Sequence, residues 1–302
     1  IESFSAEEVS GFNLHNLKGN AYVSPNAITL TDMEVETDFL KLNGSASLLY
    51  NGWEEMSDYL NKVHMVAEFN PGSYGGLKDA AYWAPMLWGF DAKVNVQGKF
   101  YGTVADMHTD YAKLQIEDHT TLIMNGYITG LPNMKETIIK GDIERLTTTV
   151  DLFSKVGLPY SWPKFKMPAI LKPLNEITLS GTFIGTIYEF FATANINTSI
   201  GRLTAYTDFY QSDVVNGYAY NASISSPKIN VTRLLPNDWL TSTGLNINLE
   251  GEGFDLSTMR LDITDALLSN AKIRNNYIDA INISASLNEM IADLKLNVAD
   301  TN

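Results

Sequence analysis

A strand-like segment that recurs along the chain constrains the fold more than any other feature. Its copies are residues 94–104 (VNVQGKFYGTV), residues 177–187 (ITLSGTFIGTI) and, more loosely, residues 245–254 (LNINLEGEGF). In the first two copies, one parity holds only aliphatic residues, glycine and phenylalanine, and the other parity is almost wholly polar. Successive side chains of a strand point to opposite faces, so each copy predicts one apolar and one polar face. The recurrence predicts an array of similar units.

The same alternation runs through much of the remaining chain. It is found in residues 33–39, 40–50, 63–69, 113–128, 203–209, 218–224, 259–263, 277–287 and 295–298. The pattern predicts roughly eighteen strands, separated by turns rich in Asn, Asp, Gly and Pro. A helical period occurs only in three short segments, at residues 53–63, 149–156 and 231–235.

So many amphipathic strands pose a burial problem, because three short helices cannot cover all of their apolar faces. The sheet must therefore fold over so that its apolar faces lie opposite each other. A barrel, a sandwich and a U-shaped trough all meet this requirement.

The net charge of the chain argues against two classes of partner. The 302 residues carry a formal net charge of −14, whereas nucleic acids and anionic lipid headgroups attract basic surfaces. We therefore expect no nucleic-acid partner. The chain has no cysteine, so disulfides and thiolate metal sites cannot form.

The sequence predicts an excised piece of a longer repeat protein. It lacks a signal-peptide pattern at Ile1 and any stretch near the roughly 20 apolar residues that span a bilayer as a helix. An export signal or membrane anchor is expected outside it. The patterns predict four units: residues 1–89 with a short helix, 90–173, 174–244, and a truncated unit at 245–302. The proline-rich run at 158–173 is the strongest boundary signal.

Side chains that could carry chemistry do not converge in the sequence. Asp32, Glu34, Glu36 and Asp38 alternate along one strand, which is typical of a solvated face rather than a calcium loop. The four histidines lack the close pairs typical of zinc sites. The chain has neither a Gly-x-Ser-x-Gly elbow nor a phosphate-binding loop. We therefore expect no enzyme, no cofactor and no metal.

Paired glycines stand out in the repeated strand. Gly98 and Gly102 flank Phe100, and Gly181 and Gly185 flank Phe183, all on the apolar parity. One interpretation is packing, in which a bent strand requires glycine and the ring fills the space beside it. The other is that the glycines shape a groove where it narrows or bends around a ligand.

Several short motifs, taken in order, resemble one family. They are LWGF at residues 87–90, GKFYG at 98–102, LP at 131–132 and again at 158–159, and GTFIG at 181–185. The chain resembles the TamB family of AsmA-like translocation and assembly module proteins, as found in Bacteroidetes-type bacteria. The resemblance extends from about Phe12 to Val298 and rests on the order and spacing of these motifs.

The resemblance implies a long periplasmic protein that is anchored in the inner membrane. It implies β-grooves that form a taco-shaped channel lined by apolar side chains. The implied activity is phospholipid transfer between the inner and outer membranes, with a role in outer-membrane protein assembly. The implied partner is a TamA-like or BamA-like outer-membrane protein, bound through regions outside this chain. The family offers no catalytic residues to carry over.

The residues and the resemblance together predict an all-β fold: an elongated, curled antiparallel sheet built from degenerate repeats, with a few short helices. We expect its apolar groove to shield phospholipid acyl chains. The expected lining residues are Met33, Val35, Phe39, Val94, Val96, Phe100, Val104, Leu122, Met124, Ile128, Ile177, Leu179, Phe183, Ile187, Leu245, Ile247, Leu249, Leu261, Ile263, Ile281 and Ile283. Gly98, Gly102, Gly181 and Gly185 are expected to shape the wall.

A second function remains open at this point. Stacked β-sandwich repeats of a structural or adhesive protein would show the same alternation, with their apolar faces packed together and no groove. Bound acyl chains would distinguish the two functions.

Overall fold

The computed structural model describes residues 1–7, 12–76, 89, 92–117, 119–133, 135–150, 152, 169–212, 217–235, 239–253 and 257–299. The chain divides into two compact units, Ile1–Met167 and Pro168–Asn302. The division falls inside the proline-rich run that the sequence marks as a boundary. The finer division into four repeat units remains a prediction.

The first unit contains ten described strands and one short helical segment. The strands are β1 (Phe4–Glu7), β2 (Asn13–Ser24), β3 (Ala27–Thr37), β4 (Leu40–Leu49), β5 (His64–Phe69), β6 (Tyr74–Gly76), β7 (Lys93–Gly102), β8 (Asp106–Ile116), β9 (Thr120–Thr129) and β10 (Ile138–Thr149). A 3-10 helix (Trp53–Asp58) runs directly into the single-turn helix α1 (Tyr59–Lys62).

The second unit contains eight described strands. They are β11 (Glu176–Gly185), β12 (Phe190–Thr198), β13 (Gly201–Ser212), β14 (Gly217–Asn230), β15 (Leu240–Glu252), β16 (Arg260–Ile273), β17 (Asn276–Asn288) and β18 (Ile291–Ala299). A 3-10 helix (Ala169–Leu174) precedes β11, and the single-turn helix α2 (Val231–Leu234) lies between β14 and β15. The predicted all-β class with a few short helices is confirmed, and the three repeat copies form β7, β11 and β15.

Strands pair antiparallel with their neighbours in the chain. In the second unit, β11 to β18 follow one another as an uninterrupted meander. In the first unit, β1 to β5 and then β7 to β10 pair in order. The short strand β6 pairs with both β4 and β7, so β5 and β6 share one place in the sheet. Such local pairing is what two-faced strands joined by tight turns favour.

A fully buried serine bridges the break between β5 and β6. The Ser73 hydroxyl donates to the Asn43 carbonyl oxygen at 3.0 Å and accepts from the Asn43 amide at 2.9 Å. The Ser73 carbonyl oxygen accepts from the Val96 amide at 2.9 Å. These bonds satisfy backbone groups that would otherwise lose their ladder partners.

Each helical segment packs at one end of its unit's strands. In the first unit, Val63 follows α1 and has no exposed surface, and the Tyr59 hydroxyl lies 3.0 Å from the Met65 sulfur. In the second unit, Val231 of α2 joins a buried cluster with Ile229, Leu240, Ala271 and Ile281. The sequence predicts the helical segment at 53–63 and the single turn at 231–235. Of the predicted helix at 149–156, Thr149 is the last residue of β10, and residues 151 and 153–156 lie outside the described residues.

Threonine-closed turns end several strands earlier than the alternation predicts. After β7, the Thr103 amide donates to the Asp106 carbonyl oxygen at 3.0 Å, and the Thr103 hydroxyl accepts from the Asp106 amide at 3.1 Å. After β11, the Thr186 amide donates to the Glu189 carbonyl oxygen at 2.7 Å. Threonine commonly caps turns through its hydroxyl in this way.

Three predicted lining residues therefore lie in turns and not in strands. Val104 and Ile187 occupy these two turns, and Phe39 occupies the bend after β3, where the Thr37 hydroxyl accepts from the amides of Phe39 and Leu40. Within the alternating run at 113–128, β8 ends at Ile116 and β9 begins at Thr120.

Truncation of a side chain in the buried cluster should destabilise the second unit more than truncation of a side chain on the same face at the edge strand. Ile281→Ala removes a side chain that is 9% exposed, and we expect it to lower the free energy of unfolding by about 2–5 kcal/mol. Val298→Ala, opposite Ile281 in the ladder and 55% exposed, should cost less than about 1 kcal/mol. Urea denaturation followed by circular dichroism measures both. Equal losses would show that the cluster does not stabilise the unit.

Candidate functional site

The apolar side chains of the first unit form one continuous sheet face. Directly opposed residues of an antiparallel pair lie on the same face. Val96 lies opposite Leu114, and Leu114 lies opposite Leu122. On β10, Leu146 lies opposite Leu122 and extends this row. Four neighbouring strands thus contribute an aliphatic side chain to the same line.

The row through Phe100 extends this face in the other direction. Phe100 lies opposite Ala67, Ala67 opposite Ala46, and Ala46 opposite Leu30. The Phe100 ring packs against Phe69, with ring centroids 5.9 Å apart. We call the surface that carries these rows, from β3 to β10, the first apolar face.

The second unit carries a corresponding surface, the second apolar face. One row on β14 to β17 runs through Ile224, Ile247, Ala266 and Ile283. At β18, Leu296 lies opposite Ile283 and extends the row to the last described strand. On β11 to β13 the same face carries Leu179, Ile196 and Leu203.

Most of the predicted lining residues lie on these two faces. By register and alternation, the first apolar face carries Met33, Val35, Val94, Val96, Phe100, Leu122, Met124 and Ile128. The second apolar face carries Ile177, Leu179, Phe183, Leu245, Ile247, Leu249, Leu261, Ile263, Ile281 and Ile283. Phe39, Val104 and Ile187 lie beyond the strand ends, as described above.

The exposure of these side chains shows how completely each face is covered. Of the twenty-one predicted residues, Met33 and Ile281 are buried, Phe39 is exposed, and the other eighteen are half-buried, so each retains part of its exposed surface. In a closed core, aliphatic side chains at these positions would be buried almost completely. The two faces therefore present apolar side chains that retain access to a small apolar molecule.

The opposite faces are more open still. Tyr111 and Ile138 in the first unit are each 43% exposed, and Phe191 in the second is 45% exposed. All three lie on the polar side of the ladder. Apolar side chains on the apolar side are therefore less exposed than those on the polar side. The last strand, β18, is the exception, because its Leu294 on the apolar side is 62% exposed.

Close approach of a neighbouring strand explains the glycines of the first unit. Gly98 and Gly102 have φ angles of 147° and 122°, which favour glycine. A Cβ atom on Gly98 would overlap the Tyr111 carbonyl oxygen, and one on Gly102 would overlap that of Asp106. Both glycines flank Phe100 on the first apolar face.

The second unit repeats this arrangement in β11. A Cβ atom on Gly181 would overlap the Thr193 carbonyl oxygen, and one on Gly185 would overlap that of Glu189. Glycine in a strand interior marks such an approach or a bend. The four glycines therefore shape the wall through backbone contacts, with Phe100 and Phe183 beside them.

An aromatic row crosses the second apolar face near one end of its strands. The rings of Phe183 and Phe190 lie 5.0 Å apart, those of Phe190 and Phe209 5.0 Å, and those of Phe209 and Tyr218 4.9 Å. The buried cluster lies at the other end of these strands. Burial raises the pKa of the Tyr220 phenol beside this row.

Polar contacts concentrate on the opposite face of the first unit. His108 lies between Tyr101 and Tyr127, with ring centroids 5.7 and 5.5 Å away, and its Nε2 lies 2.9 Å from an Asp106 carboxylate oxygen. The Tyr101 hydroxyl donates to the Asp110 carboxylate at 2.8 Å. This bond raises the pKa of Tyr101, because losing the phenolic proton would leave two negative charges together.

Another carboxylate pairing closes the turn after β3. Hydrogen bonds from His15 (2.6 Å) and Asn13 (3.2 Å) lower the pKa of Asp38. The described His, Asp and Glu residues contain no group of three that could hold a metal ion. No helix among the described residues is both long enough and apolar enough to cross a membrane.

Comparison with known proteins adds no relative: no family model, curated protein or solved structure matches the chain.

Sequence reasoning missed parts of both faces. The ladder adds Leu114, Ile143, Ile196 and Leu203 to them, and the aromatic row adds Phe190, Phe209 and Tyr218. The alternation in residues 203–209 and 218–224 was a usable signal for part of this set. Which strands lie side by side, however, is a property of the ladder and not of any one strand.

Placing a methyl group at Gly98 should destabilise the first unit. Gly98→Ala puts a Cβ atom into the backbone of β8 at a left-handed φ, and we expect a loss of about 1–3 kcal/mol in the free energy of unfolding. Gln97→Ala, the adjacent residue on the polar face, should change it by less than about 0.5 kcal/mol. Thermal and urea unfolding of both variants measures the difference, and equal stability of the two would refute the close approach.

Proposed function

We propose that the two apolar faces shield acyl chains of phospholipids during transfer between membranes. The observation that carries the proposal is that sixteen of the predicted apolar side chains, aligned on the two faces, are only half-buried. Contiguous apolar surface that stays accessible is typical of a binding surface. Acyl chains match it because they are long, unbranched and without hydrogen-bonding groups.

Transfer of this kind needs no bond-making step. Burying each CH₂ group is worth about 0.8 kcal/mol, so a long acyl chain gains strongly from such a lining. A wall of Val, Leu, Ile and Phe offers similar contacts at successive positions. An acyl chain can therefore move along the wall without having to leave a deep energy minimum.

The exposure of the two faces favours this function over a structural or adhesive sandwich. In a sandwich the inner faces of two sheets interdigitate, and side chains such as Val96 and Ile247 would be buried. Both are only half-buried. Their accessibility supports a surface that takes a mobile apolar ligand.

The wider setting is part of the same proposal and rests on the sequence motifs alone. A TamB-like protein would hold these faces in the periplasm, between an inner-membrane anchor and a TamA-like or BamA-like outer-membrane partner. Of the supporting motifs, residues 98–102 and 181–185 lie in β7 and β11. Residues 158–159 and most of residues 87–90 lie outside the described part of the chain.

A charge on the first apolar face should stop transfer. Val96→Asp places a carboxylate on a surface that offers it no partner, which repels acyl chains. We expect at least about a tenfold fall in the transfer rate of a fluorescent phospholipid between vesicles, since 1.4 kcal/mol already corresponds to tenfold. Gln97→Glu adds the same charge on the polar face and should keep the wild-type rate. Equal rates for the two variants would refute the proposal, provided circular dichroism shows both folded.

Photo-crosslinking should locate the acyl chain without relying on a charged variant. A benzophenone amino acid at Phe183 lies on the second apolar face, whereas one at the adjacent Ile184 lies on the polar face and is 43% exposed. Incubation with radiolabelled phospholipid and irradiation should label the first variant and leave the second almost unlabelled. Equal labelling at both positions would show that the lipid does not select the apolar face.

A further inference from the structure

The polar face of the second unit contains a basic cavity that stands apart from the apolar faces. It has a volume of about 430 Å³ and is lined by Lys228, Asn230, Ser242, Lys272 and Tyr277, among others. Pockets that hold small molecules commonly have volumes of about 300–1,000 Å³. The cavity is therefore large enough for an organic ligand.

Strand register brings these residues together from four strands. Asn230 at the end of β14 lies opposite Ser242 of β15, and Ser242 lies opposite Lys272 of β16. Lys272 in turn lies opposite Tyr277 of β17. This row occupies the polar side, because the adjacent Ala271 belongs to the buried cluster on the apolar side.

An irregularity in β14 supplies the second lysine. The register with β15 shifts between Ser226 and Ile229, so Pro227 and Lys228 lie outside the regular ladder. Proline cannot donate to a ladder, and such a break lets the strand bulge. The exposed Lys228 side chain thereby joins Lys272 at the cavity.

The charge of the cavity runs against that of the whole chain. The protein carries 35 acidic and 21 basic residues, yet two lysines and no described aspartate or glutamate line this cavity. Neither lysine forms an ion pair with a described carboxylate. The Lys272 Nζ lies 5.9 Å from the centroid of the Tyr277 ring. Two ammonium groups without a described carboxylate partner at one cavity favour an anionic ligand.

The neutral lining residues add hydrogen-bond donors. The Thr232 hydroxyl donates to the Asn230 side-chain oxygen at 2.7 Å, which leaves the Asn230 amide group to donate. The hydroxyls of Ser242 and Tyr277 bond to no other described side chain or backbone group and face the same cavity. Lysine ammonium groups with amide and hydroxyl donors are the set that binds phosphate oxygens.

We propose that this cavity binds a phosphate ester, with the phosphate held between Lys228 and Lys272 and its organic part beside Tyr277. The phosphate could be a lipid headgroup or belong to a free phosphorylated molecule, since both present the same oxygens. The site lies on the polar face, so it does not depend on the acyl-chain function proposed above.

Binding of glycerol 3-phosphate to the full chain, measured by the broadening of its ³¹P NMR signal, tests the site directly. We expect binding that weakens at least about fivefold in the double variant Lys228→Gln, Lys272→Gln and that also weakens in high salt. The control Lys99→Gln, Lys113→Gln removes two lysines from the polar face of the first unit and should bind as the wild type does. If both double variants lose binding equally, the effect comes from the change in net charge and not from this cavity. That result would overturn the proposal.

A second arm identifies the source of the phosphate. Flotation with phosphatidylcholine vesicles, with and without phosphatidic acid, reports headgroup binding. Retention that requires phosphatidic acid and both lysines supports a headgroup ligand, whereas binding of glycerol 3-phosphate alone supports a free phosphorylated molecule. Absence of lysine-dependent binding in both arms overturns the site. Val96→Asp should leave glycerol 3-phosphate binding unchanged, so failure of the site and failure of the acyl-chain function are separable.

Discussion

The structure depends on one constraint: antiparallel register aligns the apolar side chains of neighbouring strands on one side of the sheet in each unit. Each strand alone offers only a few such side chains. Pairing with its neighbours aligns them into rows that run across β3 to β10 in the first unit and β11 to β18 in the second. The short helices shelter one end of each unit and leave the remaining apolar surface half-exposed. The buried cluster, the glycine positions and the proposed ligand surface all follow from this arrangement.

Sequence reasoning predicted the elements that repeat and missed those that depend on neighbours. Alternation in the repeated strand correctly predicted β7, β11 and β15 and the side of the sheet on which Val96, Phe100 and Phe183 lie. It extended these strands too far, because Val104 and Ile187 keep the parity after a threonine hydroxyl has already closed the turn. Gly-Thr pairs precede both turns, but Gly181-Thr182 lies inside β11, so the pair alone does not mark a strand end.

Sites built across strands were beyond the reach of a single sequence. Lys228 and Lys272 lie in strands that are not adjacent, and only register and the irregularity at Pro227 bring them to one cavity. The aromatic row has the same origin, since Phe183, Phe190, Phe209 and Tyr218 come from four strands. Side-chain pattern predicts which face a residue occupies, but not which residue of another strand lies beside it.

The neighbour-to-neighbour meander also bears on how such a chain folds and changes in length. Most strand contacts join segments close in sequence, so pairing can begin at any hairpin and spread outward, as it does in other repeat architectures. Inserting or deleting a whole hairpin leaves the direction and facing of all remaining strands unchanged. A sheet of this design can therefore be lengthened two strands at a time during evolution, each addition widening the apolar surface while the existing ladder stays intact.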